Sequence, residues 1–407
     1  MSKQKKKQEK WIKPRHRIIT KLAEMVLRPY TEWKYGIRVE KFKEQGNRPY
    51  LVLYNHQTGF DQFFVGMAWN GPVYYLATED IFSLGFLSSL LRWAVEPIPI
   101  RKQTKDIAAV KTCYKVAKEG GTIAIAPEGN RTYSGKTEYI SPAIASMAKM
   151  INLPIALFRI EGGYGVQPRW SDVTRKGKMR AYVSQVIEPS EYKELSNEEL
   201  AAKIEEGLYV NEAVADGEFR SDKRAEFLER AIYVCPYCGL SEFESHGNEM
   251  ECKKCHRKVL YGVDKTLKGI GYEHPFQFVN DWYEYQQDYI NNLDVTKLSE
   301  EALHEETITL SEVILYKKKD ELRSEAKIKL YGDKITVDEG TKEELRFPFS
   351  EVAAVSVLGK NKANIYHNKK VYQIKGSEHF NSLKYVNMFY RYKNISRGEE
   401  NVKFLGL

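Results

Sequence analysis

The run Leu51-Val52-Leu53 leading into Tyr54-Asn55-His56-Gln57-Thr58-Gly59-Phe60-Asp61 constrains the fold more than any other stretch of this chain. The apolar triplet reads as the end of a short buried strand. Phe63, Phe64, Val65 and Met67 beyond the loop read as a helix packed on a core. His56 is therefore placed where a strand hands over to a helix, a position where α/β proteins gather their chemistry. With the first helical turn beginning near Gln57 or Thr58, Asp61 can fold back to the imidazole. A carboxylate on one ring nitrogen fixes the tautomer and leaves the other nitrogen to take a proton. A His beside an Asp is also an ordinary surface pair, so other residues must decide.

They come from three more apolar segments. Gly121-Thr122-Ile123-Ala124-Ile125-Ala126 runs into Pro127-Glu128-Gly129-Asn130-Arg131-Thr132, a strand-like stretch followed by a charged loop. The planar fork of Arg131 suits a phosphate or carboxylate. Pro97-Ile98-Pro99-Ile100 ends in Arg101, and Asn152-Leu153-Pro154-Ile155-Ala156-Leu157 is again strand-like. Chemistry at the ends of three of these four segments points to one active-site rim. Two rivals fail on spacing. Gly129 to Gly135-Lys136-Thr137 has five residues between its glycines, whereas a phosphate-binding loop needs four. No Gly-x-Ser-x-Gly elbow for a nucleophilic serine occurs.

The order and spacing of His56 to Asp61, the Arg101 block, Glu128 to Thr132 and the Leu153-Pro154-Ile155 block resemble the four motifs of the glycerolipid acyltransferases, the 1-acylglycerol-3-phosphate acyltransferase type. The likeness covers roughly the first half of the chain. It implies an α/β domain with a central mixed sheet flanked by helices. It implies that His56 is the general base and Asp61 its partner. It further implies that Glu128, Gly129, Asn130, Arg131 and Thr132 hold the acceptor's polar head, with Arg101 on its phosphate. Asn130 and Thr132 stand where the family commonly has Thr and Ser, which bears on the identity of the acceptor.

Charge is unevenly spread. Residues 1–43 hold 14 Lys+Arg and 4 Asp+Glu, a balance of +10 in a chain whose total is +8. Lys3, Lys5, Lys6, Lys7 and Lys10 form a basic tail, and residues 14–30 read as a basic amphipathic helix suited to an anionic membrane surface. A nucleic-acid arm and a plain core helix are the alternatives. Residues 74–100 are apolar enough to line an acyl tunnel, dip into a bilayer interface or form a buried helix pair. Ile107, Val110, Tyr114 and Ala117 mark a helix over 106–119, with Cys113 a core residue; further helices are expected at 141–150 and 197–210, with a strand at 179–187. No signal peptide and no apolar run of membrane-spanning length are visible.

Cys235-Pro-Tyr-Cys238 and Cys252-Lys-Lys-Cys255 are two knuckles separated by 13 residues. Four thiolates at that spacing predict a structural zinc ribbon over 230–262, with the coordination shell closed to catalysis. Such ribbons also bind nucleic acid, but a spacer or contact module is favoured here. Residues 263–304 read as a helical linker. Short β-prone runs over 305–396, ending in a helix near Phe380 to Arg391, resemble a pleckstrin-homology or GRAM-like barrel by pattern alone.

The expected domains are thus a basic N-terminal region (1–45), an acyltransferase domain (46–215), the ribbon, the linker and the C-terminal barrel. The resemblance implies a peripheral enzyme on the cytoplasmic face of the membrane, moving an acyl group from acyl-CoA or acyl carrier protein to a lysophosphatidate-like glycerolipid, with no organic cofactor. Another lysolipid or a glycolipid as acceptor, and a non-catalytic scaffold, are the alternatives.

Overall fold

The computed structural model describes residues 10–83, 85–100, 106–314, 317–399 and 402–406. Arg101 and most of the basic tail lie outside the described residues. The N-terminal half is built on strands β1 (Ile37–Val39), β2 (Leu51–Tyr54), β3 (Val73–Thr78), β4 (Ile98–Ile100), β5 (Thr122–Ile125), β6 (Ile155–Glu161) and β7 (Met179–Ile187). Their order across the sheet is β1-β7-β6-β2-β5-β3-β4. From β6 to β4 all neighbours are parallel, and β7 runs antiparallel to β6.

The strand sequences explain the layers. Successive side chains on a strand face opposite sides. Leu51, Leu53, Ile123, Ile125, Ile155 and Leu157 join one buried cluster with α4 (Ile107–Lys118), α5 (Ala143–Ile151) and α8 (Asn197–Leu208). Val52, Tyr54, Ala124, Ala156 and Phe158 join another with α1 (Pro14–Tyr35) and α2 (Asp61–Ala68). Both faces are covered, so the strands are apolar throughout rather than alternating. This half also has α3 (Phe86–Val95) and the single turns α6 (Gly163–Val166) and α7 (Pro189–Tyr192).

Several expectations need correction. Helix α1 continues past Pro29 and Tyr30 to Tyr35, where Gly36 at φ +61° stops it. An added Cβ there would lie 2.2 Å from the Gly177 carbonyl oxygen, so glycine is required. The apolar stretch 74–100 is not a helix pair: it holds β3, a short turn, α3 and β4. Helix α4 buries Ala109, Cys113, Val116 and Ala117, whereas Ile107 is 66% exposed. Small residues face the sheet because they allow close approach, and the larger apolar residues were a poor guide to that face.

The cysteine-bearing unit has a two-stranded pair, β8 (Val234–Cys235) and β9 (Gly239–Leu240), and a four-stranded antiparallel sheet of β10 (Phe243–His246), β11 (Glu249–Cys252), β12 (Lys258–Tyr261) and β13 (Leu267–Gly269). The sheet runs beyond the expected boundary at 262. The stretch expected as a helical linker holds a helix. Helix α9 (Val279–Asn291) is wedged into the core, with Trp282 donating to the Val234 carbonyl at 2.7 Å and Gln286 accepting from Tyr233 N–H at 2.7 Å.

The C-terminal unit is an antiparallel sheet of seven strands: β14 (His304–Glu312), β15 (Asp320–Leu330), β16 (Lys334–Val337), β17 (Leu345–Pro348), β18 (Ala354–Leu358), β19 (Lys362–His367) and β20 (Lys370–Lys375). They are ordered β17-β16-β15-β14-β20-β19-β18, and α10 (Leu383–Ser396) follows. One apolar core runs through the ribbon, α9 and this unit, and takes in Tyr133 and Trp170 of the N-terminal half.

Candidate active site

Strands β2, β5 and β6 are parallel neighbours, so the loops after them meet at one edge of the sheet. His56 follows β2. Its Nδ1 lies 2.7 Å from Asp61 Oδ2. Asp61 is fully buried and opens α2, where the helix N-terminus favours negative charge. The carboxylate also accepts from Gln57 N–H at 2.6 Å, Thr58 N–H at 2.9 Å and the Thr58 hydroxyl at 2.7 Å. An acceptor held by this many donors receives a proton from Nδ1, so the imidazole lone pair belongs to Nε2.

The loop after β5 fixes the backbone of His56. The His56 N–H donates to Glu128 Oε1 at 2.8 Å, and Thr132 N–H donates to the His56 carbonyl at 3.1 Å. Glu128 Oε2 accepts from Glu138 N–H at 2.7 Å. Burial pushes the Glu128 carboxyl well above its ordinary range, and the two N–H groups pull it part of the way back. Gly129 turns the loop at φ +69°. Thr132 is fully buried and donates to Glu138 at 3.0 Å, so it braces the loop from behind. Asn130 Oδ1 accepts from Arg169 at 3.1 Å, and Arg169 also donates to the Arg131 carbonyl at 2.8 Å.

Arg131 leans over the first loop: a Cβ added to Gly59 would stand 3.9 Å from its Nη1. Burial and the neighbouring Arg169 cation lower its pKa to about 10. Asp61 attracts it, yet among the described residues no carboxylate stands within salt-bridge distance of it.

Two residues whose roles the sequence reading did not assign complete the frame. Asn55 donates to the Ile160 carbonyl at 2.8 Å and accepts from Ile160 N–H at 2.7 Å, extending the β2–β6 pairing through a side chain. Gly163 lets the loop after β6 pack on the first, since a Cβ there would stand 2.6 Å from Gln57 Cβ. A buried Asn directly before His56, and paired glycines after β6, were the available signals.

His56, Glu128, Gly129 and Asn130 line a cavity of about 720 Å³ that extends between α1, α2, β3 and α3 along Leu27, Phe63, Tyr75, Leu91 and Val95. A polar, proton-accepting end joined to an apolar arm suits an amphipathic substrate.

The four cysteines form a separate cluster. Their sulfur atoms all lie within 4.8 Å of one another, and Cys235 and Cys255 are 3.8 Å apart. A tetrahedron of zinc–thiolate bonds of about 2.3 Å has sulfur–sulfur edges of about 3.8 Å, so the donor set fits zinc.

Residues 36–160 match the family model described as Acyltransferase. A curated 1-acyl-sn-glycerol-3-phosphate acyltransferase of Bacillus subtilis is 22% identical over 151 residues, covering 37% of this chain and 71% of that protein. The crystal structure of the 1-acyl-sn-glycerophosphate acyltransferase of Thermotoga maritima is similar at 20% identity and a TM-score of 0.41, over 47% of this chain and 78% of that one. The unit that carries His56, Asp61 and the Glu128–Arg131 loop is a domain of the acyltransferase family.

Proposed function

We propose that this protein transfers a fatty acyl group from an acyl thioester to the hydroxyl of a lysophosphatidate-like glycerolipid, a step of phospholipid synthesis. The observation that carries this reading is the His56–Asp61 pair, 2.7 Å apart, at the polar end of an apolar cavity. His56 Nε2 takes the proton of the acceptor hydroxyl as its oxygen attacks the thioester carbon. The carbon–sulfur bond breaks, and the imidazolium gives its proton to the leaving thiolate. Asp61 orients the ring and stabilises its charge in the transition state. Gly129, Asn130 and Arg131 face the acceptor's head, with Arg131 on the phosphate and Arg101 assisting. Glu128 and Thr132 act on the chemistry through the loop they hold. Acyl-CoA and acyl carrier protein both present the required thioester.

Peripheral attachment to a membrane fits the surface. Helices α1 and α3 touch, with Arg15 donating to the Trp93 carbonyl at 2.8 Å. Leu22, Met25, Val26 and Trp33 of α1 and Phe86, Leu87 and Trp93 of α3 are exposed, beside the cations of Arg15, Arg17 and Lys21. Among the described residues no helix is long and apolar enough to cross a membrane. The cysteine cluster would hold a structural zinc, with all four thiolates as its ligands.

The test incubates the purified protein and vesicles with labelled acyl-CoA or acyl carrier protein and a panel of lysolipids, beside His56→Ala. Transfer to lysophosphatidate that the substitution abolishes is the expected result. Transfer to another lysolipid moves the acceptor, and no transfer from either donor overturns the reading.

A further inference from the structure

Among the described residues, every one that lines the cavity falls between Thr20 and Ser141, with one exception, Phe404. It is carried by the segment after α10 and reaches back across the molecule to Tyr139, with the ring centres 5.2 Å apart. It also meets Tyr390 of α10, at 5.3 Å and nearly edge to face.

The segment is held by design of its sequence. Asn394 donates to the carbonyls of Val402 and Phe404 at 3.1 and 3.0 Å, and Asn387 donates to that of Leu405 at 2.9 Å. Leu405 is buried in the C-terminal core, and Lys403 pairs with Asp288 of α9 at 3.0 Å. These contacts fix the backbone on both sides of Phe404, so the ring is presented rather than trailing. Tyr139, its partner, directly follows Glu138, whose N–H holds Glu128. The aromatic pair therefore stands beside the loop that positions His56.

We propose that Phe404 is a specificity-determining residue: with Tyr139 it forms an aromatic wall that limits the fatty-acyl chain the cavity accepts. This rests on the reading of the site as an acyltransferase. The ligand chemistry is an alkyl chain, which arrives either on the thioester donor or on the lysolipid acceptor. An apolar wall discriminates by methylenes, each worth a substantial factor in a closed pocket.

The test uses the full chain with Phe404→Ala, Phe404→Trp and Tyr139→Ala. Dissociation constants are measured for an acyl-CoA series and a lysophosphatidate series from decanoyl to stearoyl, together with kcat/KM for the same series. Phe404→Ala is expected to raise the preference for the longest over the shortest chain about tenfold in one series, and Phe404→Trp to lower it. The series that responds identifies which chain meets the wall. An unchanged profile in both series overturns the proposal, and so does an equal loss at every chain length, which would mark a merely structural role. Should Phe404→Ala fail to fold, Phe404→Trp and Tyr139→Ala carry the same comparison. A protein that binds both series, shows the expected shift in one of them and transfers nothing would sink the proposed reaction and leave the wall standing.

Discussion

Glu128 holds His56 by its main chain: one carboxyl oxygen accepts the His56 N–H at 2.8 Å, and the other accepts the Glu138 N–H at 2.7 Å. The loop after β5 thus sets the position of the base at the end of β2. Glu128→Ala leaves two N–H groups without their acceptor. It is expected to cost about 1–3 kcal/mol of stability and to lower kcat more than it raises KM for the acceptor. Thermal unfolding beside steady-state kinetics checks this; a pure KM effect would assign Glu128 to direct contact with the acceptor.

His56→Ala is expected to lower kcat by about two to four orders of magnitude, the usual worth of a positioned base. Asp61→Asn turns an amide toward donors that now meet a carboxylate, Gln57 N–H and Thr58 N–H among them. It should lose comparable activity and also some stability. Acyl transfer with circular dichroism as the folding control decides; full activity in Asp61→Asn would remove it from the mechanism.

Arg131→Ala removes a cation that lies over Gly59 with no carboxylate within salt-bridge distance among the described residues. KM for a phosphorylated acceptor should rise by about ten- to a hundredfold, consistent with the loss of charged hydrogen bonds. KM for a monoacylglycerol should hardly change. An equal effect on both acceptors would contradict a phosphate contact.

Glu212 receives the Gly162 N–H, and Gly162 precedes the glycine that packs on Gln57. Burial raises its pKa to about 7 from an ordinary 4.5, with the Lys265 cation opposing. The folded state therefore binds the proton more tightly than the unfolded state between those values. Stability from this group is present at low pH and is lost as pH rises through about 7. Glu212→Gln should flatten this slope and raise the melting temperature relative to the parent above pH 7. Melting curves across that range, identical for the two proteins, would argue against it.

Zinc content should be one per chain, carried by Cys235, Cys238, Cys252 and Cys255. Tyr283 of α9 stacks on Tyr133 of the loop after β5, and Arg169 stands over the same Tyr133 ring at 4.4 Å. Chelation or Cys238→Ser should therefore lower acyl transfer as well as melting temperature. Metal analysis with activity measured alongside tests both, and zinc loss without loss of activity would uncouple the ribbon from the site.

The sequence by itself determined the strand-to-loop hand-overs at His56 and Glu128, the spacing that lets Asp61 return to the imidazole, and the four-thiolate set. These are local: a few residues of chain fix them, because apolar runs, turn residues and ligand spacing act over one or two turns. It also showed strand-like texture after residue 304. Only the tertiary structure decided the rest. That β5 lies beside β2, so that Glu128 and Thr132 hold the N–H and the carbonyl of His56, depends on strand order, which periodicity does not encode. The buried face of α4 was chosen by close approach to the sheet, which favoured Ala109 and Cys113 over Ile107. Helix α9 read as a linker because its buried face carries the polar Asn280 and Gln286 beside Val279, Trp282, Tyr283 and Ile290, and an apolar pattern does not mark those two as core. Phe404 meets Tyr139 across a separation that only folding closes.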